Sequence, residues 1–260
     1  MSVFIFNLDH RDSEITKLLN KYGIKEYESR LEGSFLNTVY KRVVDSKVLK
    51  DGGVNYVTLN KNGIAKGFNT KLKEQGILCF MRMDTGHIIS GAPMPIDDAD
   101  FQYAKNNGCV GAKIVTYIDN IDAIDMNINI LTNLAYKSRR NGLLPVFEFR
   151  VRKEWEDKTE REKLLSSILF EKLHKVLFQS VIIFTLPEEP NIYSDINRFE
   201  IVKVVAGSDY QLSLDDAIAK LHNNDMNISF GTSLFDGLNI NMTDQKFKEK
   251  LAENLAKLKK

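Results

Sequence analysis

Residues 111–151, which read GAKIVTYIDNIDAIDMNINILTNLAYKSRRNGLLPVFEFRV, decide the fold class. The segment opens with a β-branched run over Gly111–Ile118 and closes with a second apolar run over Leu144–Val151. Between them, apolar residues recur at helical spacing over Asp122–Arg140, and Asn141-Gly142 is a pair suited to ending a helix in the left-handed conformation. A strand, a helix, a glycine and a strand in this order are typical of a βα unit in a parallel sheet.

The same alternation runs along the whole chain of 260 residues. Eight predicted strands cover Val3–Asp9, Val54–Leu59, Ile77–Met83, Gly111–Ile118, Leu144–Val151, Ser180–Leu186, Phe199–Gly207 and Asn227–Leu234. Helical spacing is found over Ser13–Tyr22, Glu28–Val44, Ala65–Glu74, Asp98–Lys105, Asp122–Arg140, Glu160–Phe178, Ile192–Asn197, Leu214–His222 and Asp244–Lys260. Because eight βα units in about 250 residues close into a barrel, the sequence predicts an α/β protein with a single (β/α)8 TIM-barrel domain over residues 1–260.

Composition and charge exclude several classes of protein. The chain has 36 Lys and Arg against 35 Asp and Glu, which gives a net charge of +1 without a basic block to neutralise nucleic-acid phosphates. No stretch approaches the ~18 apolar residues of a membrane helix, and Met1–Asp9 lacks the features of a signal peptide. Cys79 and Cys109 lack CxxC spacing and are expected to be reduced, buried thiols. We therefore predict a cytoplasmic protein without nucleic-acid or membrane partners.

Charged residues interrupt the apolar strands near their carboxyl ends, where the active site of a barrel lies. Asp9 ends the first strand, Arg82 lies in the third, Lys113 in the fourth, and Glu148 and Arg150 in the fifth. Since side chains two apart in a strand share a face, Glu148 and Arg150 are expected to point inward together. An inward Lys113 would be a desolvated amine, which is the condition for Schiff-base chemistry. The alternative is a structural ion pair of Lys113 with Glu148 or Asp9.

The segment Ala206–Gln211, which follows the seventh strand, carries a glycine just before a predicted helix. Backbone N–H groups in such a loop can hold a phosphate, so Gly207 and Ser208 are candidate substrate-binding residues, with plain turn chemistry as the alternative. His10 and His87 are candidate ligands or acid–base groups, but neither has a second His or Cys at metal-ligand spacing. We expect neither a metal nor a cofactor.

Two motifs give a resemblance to a known family. Leu143–Val151 reads LLPVFEFRV and Phe184–Tyr193 reads FTLPEEPNIY. These segments are similar to the strand-five motif VP(I/V)(I/V)EPE and the strand-six motif KxT(I/L)PxEPNxY of the class I fructose-bisphosphate aldolases, in their bacterial branch. The similarity is patchy but continues in order through Asn7–Asp9, Arg82–Gly86, Gly111–Ile114, Val205–Tyr210 and Ser229–Leu234. The resemblance implies a barrel that makes or breaks carbon–carbon bonds in sugar phosphates.

The resemblance also assigns roles to three residues. Asp9 matches the family aspartate that positions the substrate and handles the carbinolamine. Lys113 matches the strand-four lysine at the reacting centre, and Glu148 matches the strand-five carboxylate that transfers protons. The family's Schiff-base lysine, however, falls on Ile183, which cannot form an imine. The chain is therefore not expected to act as an ordinary fructose-bisphosphate aldolase through its sixth strand.

Other family positions differ as well. A family glutamate falls on Arg150, a family lysine on Arg82, and the phosphate-binding arginine of the eighth strand on Thr232. Asp209 stands in the loop where the family binds a phosphate, so this chain has a negatively charged side chain where the family binds the anionic group of its substrate. The differences on strands six to eight thus remove the nucleophile and the phosphate anchor together.

Two hypotheses follow. In the first, the chain is a diverged lyase or transferase that acts on a small phosphorylated or anionic carbonyl compound, with Lys113 as the Schiff-base former and Glu148 as the acid and base. Arg82 and Arg150 would then bind the substrate anion. Lys203, expected deep in the seventh strand, is a second candidate for the imine. In the second hypothesis, the barrel is catalytically inactive and serves in binding, regulation or assembly. Since aldolases of this class are often oligomers, the resemblance also allows a homo-oligomer.

Overall fold

The computed structural model describes residues 3–11, 13–28, 31–174 and 179–259. Its centre is a closed barrel of eight parallel strands that pair in chain order, with the last strand returning to the first. The strands are β1 Phe4–Leu8, β2 Tyr56–Leu59, β3 Leu78–Arg82, β4 Gly111–Tyr117, β5 Leu144–Arg150, β6 Ser180–Thr185, β7 Val202–Ser208 and β8 Asn227–Phe230. The predicted (β/α)8 barrel is confirmed, and each predicted strand overlaps an observed one.

Helices connect the strands and cover the outside of the barrel. They are α1 Ser13–Lys21, α2 Glu32–Asp45, α3 Lys61–Ala65, α4 Phe68–Glu74, α5 Asp98–Asn106, α6 Ile124–Arg140, α7 Lys158–Leu173, α8 Leu214–His222 and α9 Asp244–Ala256. Within the ranges described, no helix combines the length and the apolar character needed to cross a membrane. Residues 29 and 30 of the second predicted helix lie outside the described residues, as do 175–178 and Lys260 at the ends of two others.

Some predicted boundaries differ from those observed. The helix predicted over Ala65–Glu74 is two short helices, because Gly67 between them adopts a φ of 75°. The seventh strand begins only at Val202, since a 3-10 turn over Ser194–Arg198 precedes it. The eighth ends at Phe230, where another 3-10 turn follows. The predicted helix-ending glycines are confirmed by the positive φ of Gly76, Gly108 and Gly142.

Side chains alternate across each strand and form two apolar layers. The layer inside the barrel contains Ile5, Phe80, Val146, Val181, Ile183 and Ala206. Phe147 and Phe149 belong to the outer layer, which packs between strands and helices. Glu148 and Arg150 alternate with them along β5 and therefore point inward, as the period of two predicts.

Gly111 opens β4 and allows the barrel interior to be filled below the polar mouth. A Cβ at this position would lie 2.6 Å from Cδ1 of Phe80 and 2.8 Å from the carbonyl oxygen of Leu144. The Phe80 ring stacks on Tyr56 with 4.6 Å between centroids. Since Lys113 lies two residues further along β4 on the same face, this aromatic layer forms the floor beneath it.

Candidate active site

Lys113 lies at the centre of the barrel mouth and is fully buried. Its Nζ is 2.7 Å from Oε2 of Glu148, 2.9 Å from Oδ2 of Asp9 and 2.9 Å from Oδ1 of Asn7. Asn7 belongs to β1, Asp9 follows that strand, and Glu148 lies in β5. The contact with Asn7 is a hydrogen bond, whereas the two carboxylates pair with the ammonium group as ions, because their contacting oxygens accept no hydrogen bond from the described residues. The buried cation is thus neutralised by charge more than by hydrogen bonding. The structure contains both ion pairs that the sequence offered as alternatives to a free amine.

Glu148 uses its other oxygen to hold two further side chains. Oε1 accepts hydrogen bonds from Nε of Arg150 at 2.7 Å and from Oγ of Ser208 at 3.2 Å. Burial alone would raise the pKa of Glu148, but the neighbouring Arg150 and Lys113 outweigh burial and hold the pKa well below its usual range. Glu148 is therefore an ionised carboxylate, and it becomes a stronger base only when one of these two cations loses its charge.

Arg82, in β3, is held by another carboxylate. Its Nε and Nη2 each lie 3.0 Å from Oδ2 of Asp84, and its Nη1 donates to the carbonyl oxygen of Asp9 at 3.1 Å. Asp84 also accepts a hydrogen bond from the backbone N–H of Val115 at 3.0 Å. Although burial opposes it, the charges of Arg82 and Arg11 lower the pKa of Asp84. The guanidinium group of Arg82 is thereby fixed with one edge toward the mouth.

Glu14, in the first turn of α1, is a site residue that the motifs do not reveal. Its Oε2 accepts from Nη1 of Arg82 at 3.2 Å, and its Oε1 accepts from Nη1 of Arg150. Burial opposes its ionisation, but Arg150 and Arg82 outweigh that effect and lower the pKa of Glu14. An acidic residue in a first helical turn is ordinarily a cap, and Oε2 does accept from the backbone N–H of Arg11 at 3.3 Å. Nothing in the sequence signals that the same carboxylate reaches two arginines.

The sequence predicts substrate binding by Gly207 and Ser208 in a loop after the seventh strand, but both are the last residues of β7 itself. Ser208 lines a cavity at the mouth, whereas a Cβ on Gly207 would lie 2.4 Å from a leucine side chain of the outer layer. The carboxylate of Asp209 accepts hydrogen bonds from the backbone N–H of Gly231 at 2.9 Å and of Ser233 at 2.7 Å. A carboxylate of the chain itself therefore occupies backbone N–H groups of the kind that bind phosphate.

Two cavities open at the mouth. One has a volume of about 80 Å³ and is lined in part by Asp9, Arg150, Ser208 and Asp209. The other has a volume of about 410 Å³ and is lined in part by Arg11, Arg82, His87 and Tyr117. Glu14 lines both cavities and forms part of the wall between them.

His10 follows Asp9 and is also buried at the mouth. Its Nδ1 is 2.9 Å from the hydroxyl of Tyr40, and its Nε2 is 2.8 Å from Oγ1 of Thr232. Burial lowers the pKa of His10 to about 4, so the ring is neutral near pH 7. Across the described part of the chain, no group of three or more His, Cys, Asp and Glu is placed to hold a metal ion.

Two further residues bear on where an imine could form. Ile183, in β6, pairs in register with Glu148 and lies in the inner apolar layer. Lys203 is exposed at the start of β7, next to a shift in register between β6 and β7. The expectation that Lys203 lies deep in the strand is wrong, because the strand begins later than predicted and this lysine falls at its amino end, away from the mouth.

Comparisons with known proteins agree with this barrel. No family model matches the chain. The class 1 fructose-bisphosphate aldolase of Clostridium acetobutylicum is 26% identical over 277 residues, covering 98% of this chain and 93% of that protein. The corresponding enzyme of Synechocystis is 27% identical over 173 residues, covering 64% of this chain and 57% of that protein.

A solved structure is similar in fold. It is an archaeal fructose-1,6-bisphosphate aldolase with its catalytic lysine covalently bound to the carbinolamine intermediate of its substrate. The TM-score is 0.59 at 12% identity, over 98% of this chain and 94% of that chain. The resemblance to class I fructose-bisphosphate aldolases that the motifs indicate is thus confirmed by the curated relatives, and the fold is confirmed by the structure.

Proposed function

We propose that the chain is a carbon–carbon lyase or transferase of the class I aldolase type, which acts on a small phosphorylated or anionic carbonyl compound through an imine on Lys113. The observation that carries the proposal is the contact of Nζ with both Asp9 and Glu148, at 2.9 Å and 2.7 Å, at the mouth of the barrel. A buried ion cluster is weak support for stability, since apolar groups of similar volume often serve as well. Chemistry that uses these charges explains them better.

The first step is loss of a proton from Lys113, because only the free amine has the lone pair that attacks a carbonyl carbon. Asp9, 2.9 Å from Nζ, is placed to take that proton. The amine then adds to the carbonyl group and gives a carbinolamine. The proton returns from Asp9 to the carbinolamine hydroxyl, which leaves as water, so that an iminium cation remains on Lys113 and Asp9 is again ionised.

Glu148 is assigned the proton transfer that accompanies bond cleavage. As an ionised carboxylate it accepts the proton of the hydroxyl group on the β carbon while the bond between the α and β carbons breaks and an aldehyde leaves. The electron pair of the broken bond passes into the iminium group and forms an enamine. Protonation of the α carbon and hydrolysis release the second product and restore Lys113. The imine itself is the electron sink, so the reaction requires no cofactor.

Arg82 and Arg150 are assigned to binding the anionic group of the substrate. Both guanidinium groups are buried, and each is fixed by a carboxylate through Nε, while Nη1 of each contacts the carboxylate of Glu14. Fixed guanidinium forks suit a carboxylate or phosphate better than mobile lysines do. Ser208 can donate its one hydroxyl proton to the substrate only by giving up its hydrogen bond to Glu148, whereas only backbone groups of Gly207 can take part.

Borohydride trapping tests the proposal. The protein is incubated separately with dihydroxyacetone phosphate, fructose bisphosphate and pyruvate, reduced, digested and mapped by mass spectrometry. We expect an adduct on Lys113 with at least one of these compounds. The adduct should be absent from Lys113→Arg, which keeps the cation but cannot form an imine, and unchanged in Lys203→Met, which removes an exposed lysine. An adduct on another lysine, or none with any carbonyl compound, would contradict the imine on Lys113.

A second candidate function is that of a catalytically inactive barrel. The observation in its favour is that two carboxylates of the chain, Glu14 and Asp209, already occupy groups suited to binding an anion. In that case the ions of the mouth neutralise one another, and the barrel serves in binding, regulation or assembly. Binding of small anions without any trapped adduct or turnover is the result expected of this second function.

A further inference from the structure

The carboxylate of Glu14 lies between two arginines that are almost completely enclosed. The side chains of Arg82 and Arg150 are 1% and 6% exposed, whereas that of Glu14 is 15% exposed. Each oxygen of Glu14 contacts one arginine through Nη1. The arginines are thus held rigidly in the barrel, and the carboxylate between them is the more exposed member of the group, on a helix at the rim.

We propose that Glu14 occupies the binding site for the carboxylate group of the substrate, and that a small carbonyl compound bearing a carboxylate binds by displacing it. The proposal rests on the proposed function only in placing the substrate at this mouth. The proposed function leaves the anionic group of the substrate open between a phosphate and a carboxylate, and the present proposal specifies a carboxylate. The geometry is direct: two Nη1 donors, one on each side, already accommodate the two oxygens of a carboxylate.

The charges of the mouth point to a singly charged ligand. Within the described part of the chain, the cations of this network are Arg11, Arg82, Lys113 and Arg150, and its carboxylates are Asp9, Glu14, Asp84 and Glu148. Four cations therefore balance four anions, and Lys17 and Asp209, which line the smaller cavity, add one formal charge of each sign. Movement of Glu14 into water leaves one positive charge in excess, which a carboxylate neutralises. A phosphate monoester, with a charge near −2 at neutral pH, would leave an excess of negative charge in a region of low dielectric constant.

The neighbouring backbone also disfavours a phosphate. Phosphate sites in barrels draw on backbone N–H groups in the loops after the seventh and eighth strands. Here Gly231 and Ser233 donate to the buried carboxylate of Asp209 at 2.9 Å and 2.7 Å. A phosphate would have to displace Asp209 as well as Glu14, whereas a carboxylate needs only the site of Glu14.

Displacement of Glu14 also provides the space for a ligand. The cavity lined by Asn7 and Asp9, whose side chains contact Lys113, measures about 80 Å³, which is below the several hundred Å³ typical of small-molecule sites. The cavity on the other side of Glu14 measures about 410 Å³. With Glu14 turned outward, the two join into one site that reaches from the arginines toward Lys113.

Titration calorimetry with Glu14→Gln tests the displacement. The substitution keeps the shape of the side chain and removes the charge that competes with a ligand. At pH 7.5 and constant ionic strength, we expect the variant to bind pyruvate at least tenfold more tightly than the wild-type protein does. Its affinity for inorganic phosphate should change less than threefold. The control, Glu160→Gln, alters an exposed glutamate in the first turn of α7 and should leave both affinities at the wild-type values.

A second variant covers the case in which Glu14→Gln does not fold. Glu14→Asp keeps the charge, but its side chain is one methylene shorter and cannot span both arginines, so a smaller gain in pyruvate affinity of about threefold is expected. Pyruvate should also raise the melting temperature of either variant more than phosphate does at equal concentration. A larger gain for phosphate than for pyruvate, or no gain for pyruvate in any folded variant, overturns the proposal. Because binding is measured without turnover, gain of pyruvate affinity in a protein that forms no adduct on Lys113 would support the displacement and refute the imine.

Discussion

His10 is the residue whose ionisation should be most visible in the stability of the protein. It is neutral in the folded state, where it joins Tyr40 of α2 to Thr232 after β8, and burial lowers its pKa from 6.5 to about 4. Between these two values the unfolded chain binds a proton that the folded chain does not. The free energy of unfolding therefore falls as the pH is lowered from 6.5 to 4, by up to about 3 kcal/mol from this residue.

Urea unfolding of wild-type protein and His10→Gln between pH 4 and 7 measures this contribution. Glutamine keeps one donor and one acceptor but does not titrate, so the wild-type protein should lose more stability than the variant as the pH falls. His222→Gln is the matched control, because His222 is exposed at the end of α8. Equal pH dependence in wild-type protein and His10→Gln would show that the buried ring is not the source.

The residues of the site differ in how far the sequence reveals them. Lys113 and Glu148 are identified because a charged residue in an apolar strand stands out, and the period of two gives the direction of its side chain. Asp9 is identified from its place at a strand end. Glu14 is not, because its role depends on how α1 is oriented over the mouth, and that orientation is set by packing between elements distant in sequence. Asp209 is singled out by the resemblance, but the sequence does not reveal its backbone partners Gly231 and Ser233, which follow β8.

At the scale of the element, β4 depends on having no side chain at its first position. Gly111→Ala would place a Cβ 2.6 Å from Cδ1 of Phe80 and 2.8 Å from the carbonyl oxygen of Leu144, both closer than atoms can approach. The carbonyl oxygen belongs to the paired strand β5 and cannot move without disturbing the sheet. We expect a loss of about 1–3 kcal/mol in the free energy of unfolding, or more if β5 shifts, measured by urea denaturation.

Gly33→Ala serves as the comparison for this substitution. Gly33 lies near the start of α2, and a Cβ there would meet nothing within 4 Å. Alanine is favoured over glycine in a helix by about 0.5–1 kcal/mol, so this variant should be as stable as the wild-type protein or slightly more stable. If Gly111→Ala is as stable as Gly33→Ala, close packing against Phe80 and Leu144 does not constrain β4.

The elements themselves follow from the sequence more completely than their ends do. Apolar runs predict all eight strands, since a strand buried on both faces is an almost continuous run of apolar residues. Helical spacing between the runs predicts the helices. The ends depend on single residues. Gly67 divides one predicted helix, and the 3-10 turn over Ser194–Arg198 delays the start of β7. Lys203 is exposed beside a shift in register between β6 and β7. A shift in register is a property of two strands together and leaves no pattern in either one alone.

At the scale of the whole molecule, a net charge of +1 conceals a dense internal network. Ions from β3, β4, β5, α1 and the segment that follows β1 meet at one end of the barrel and balance one another. Removal of one partner from such a network leaves an uncompensated charge, which costs more than the pair contributes. The elements are therefore coupled through charge as well as through the apolar layers, and the coupling between α1 and β5 passes through Glu14 and Arg150.

A double-mutant cycle on urea unfolding measures that coupling. Glu14→Gln removes one of the two partners of Arg150, and Arg150→Gln removes one of the two partners of Glu14. Each single variant therefore leaves the network with one unbalanced charge, whereas the double variant restores the balance. We expect the double variant to lose less free energy of unfolding than the two single variants lose together, by about 1–3 kcal/mol. The control cycle uses Lys163 and Glu189, whose ions lie 2.7 Å apart but are 56% and 52% exposed, so that water screens them and a coupling below about 1 kcal/mol is expected. Equal coupling in the two cycles would mean that the ion pair of Glu14 with Arg150 contributes no more than an exposed pair. In that case Glu14 does not stabilise the packing of α1 on the barrel.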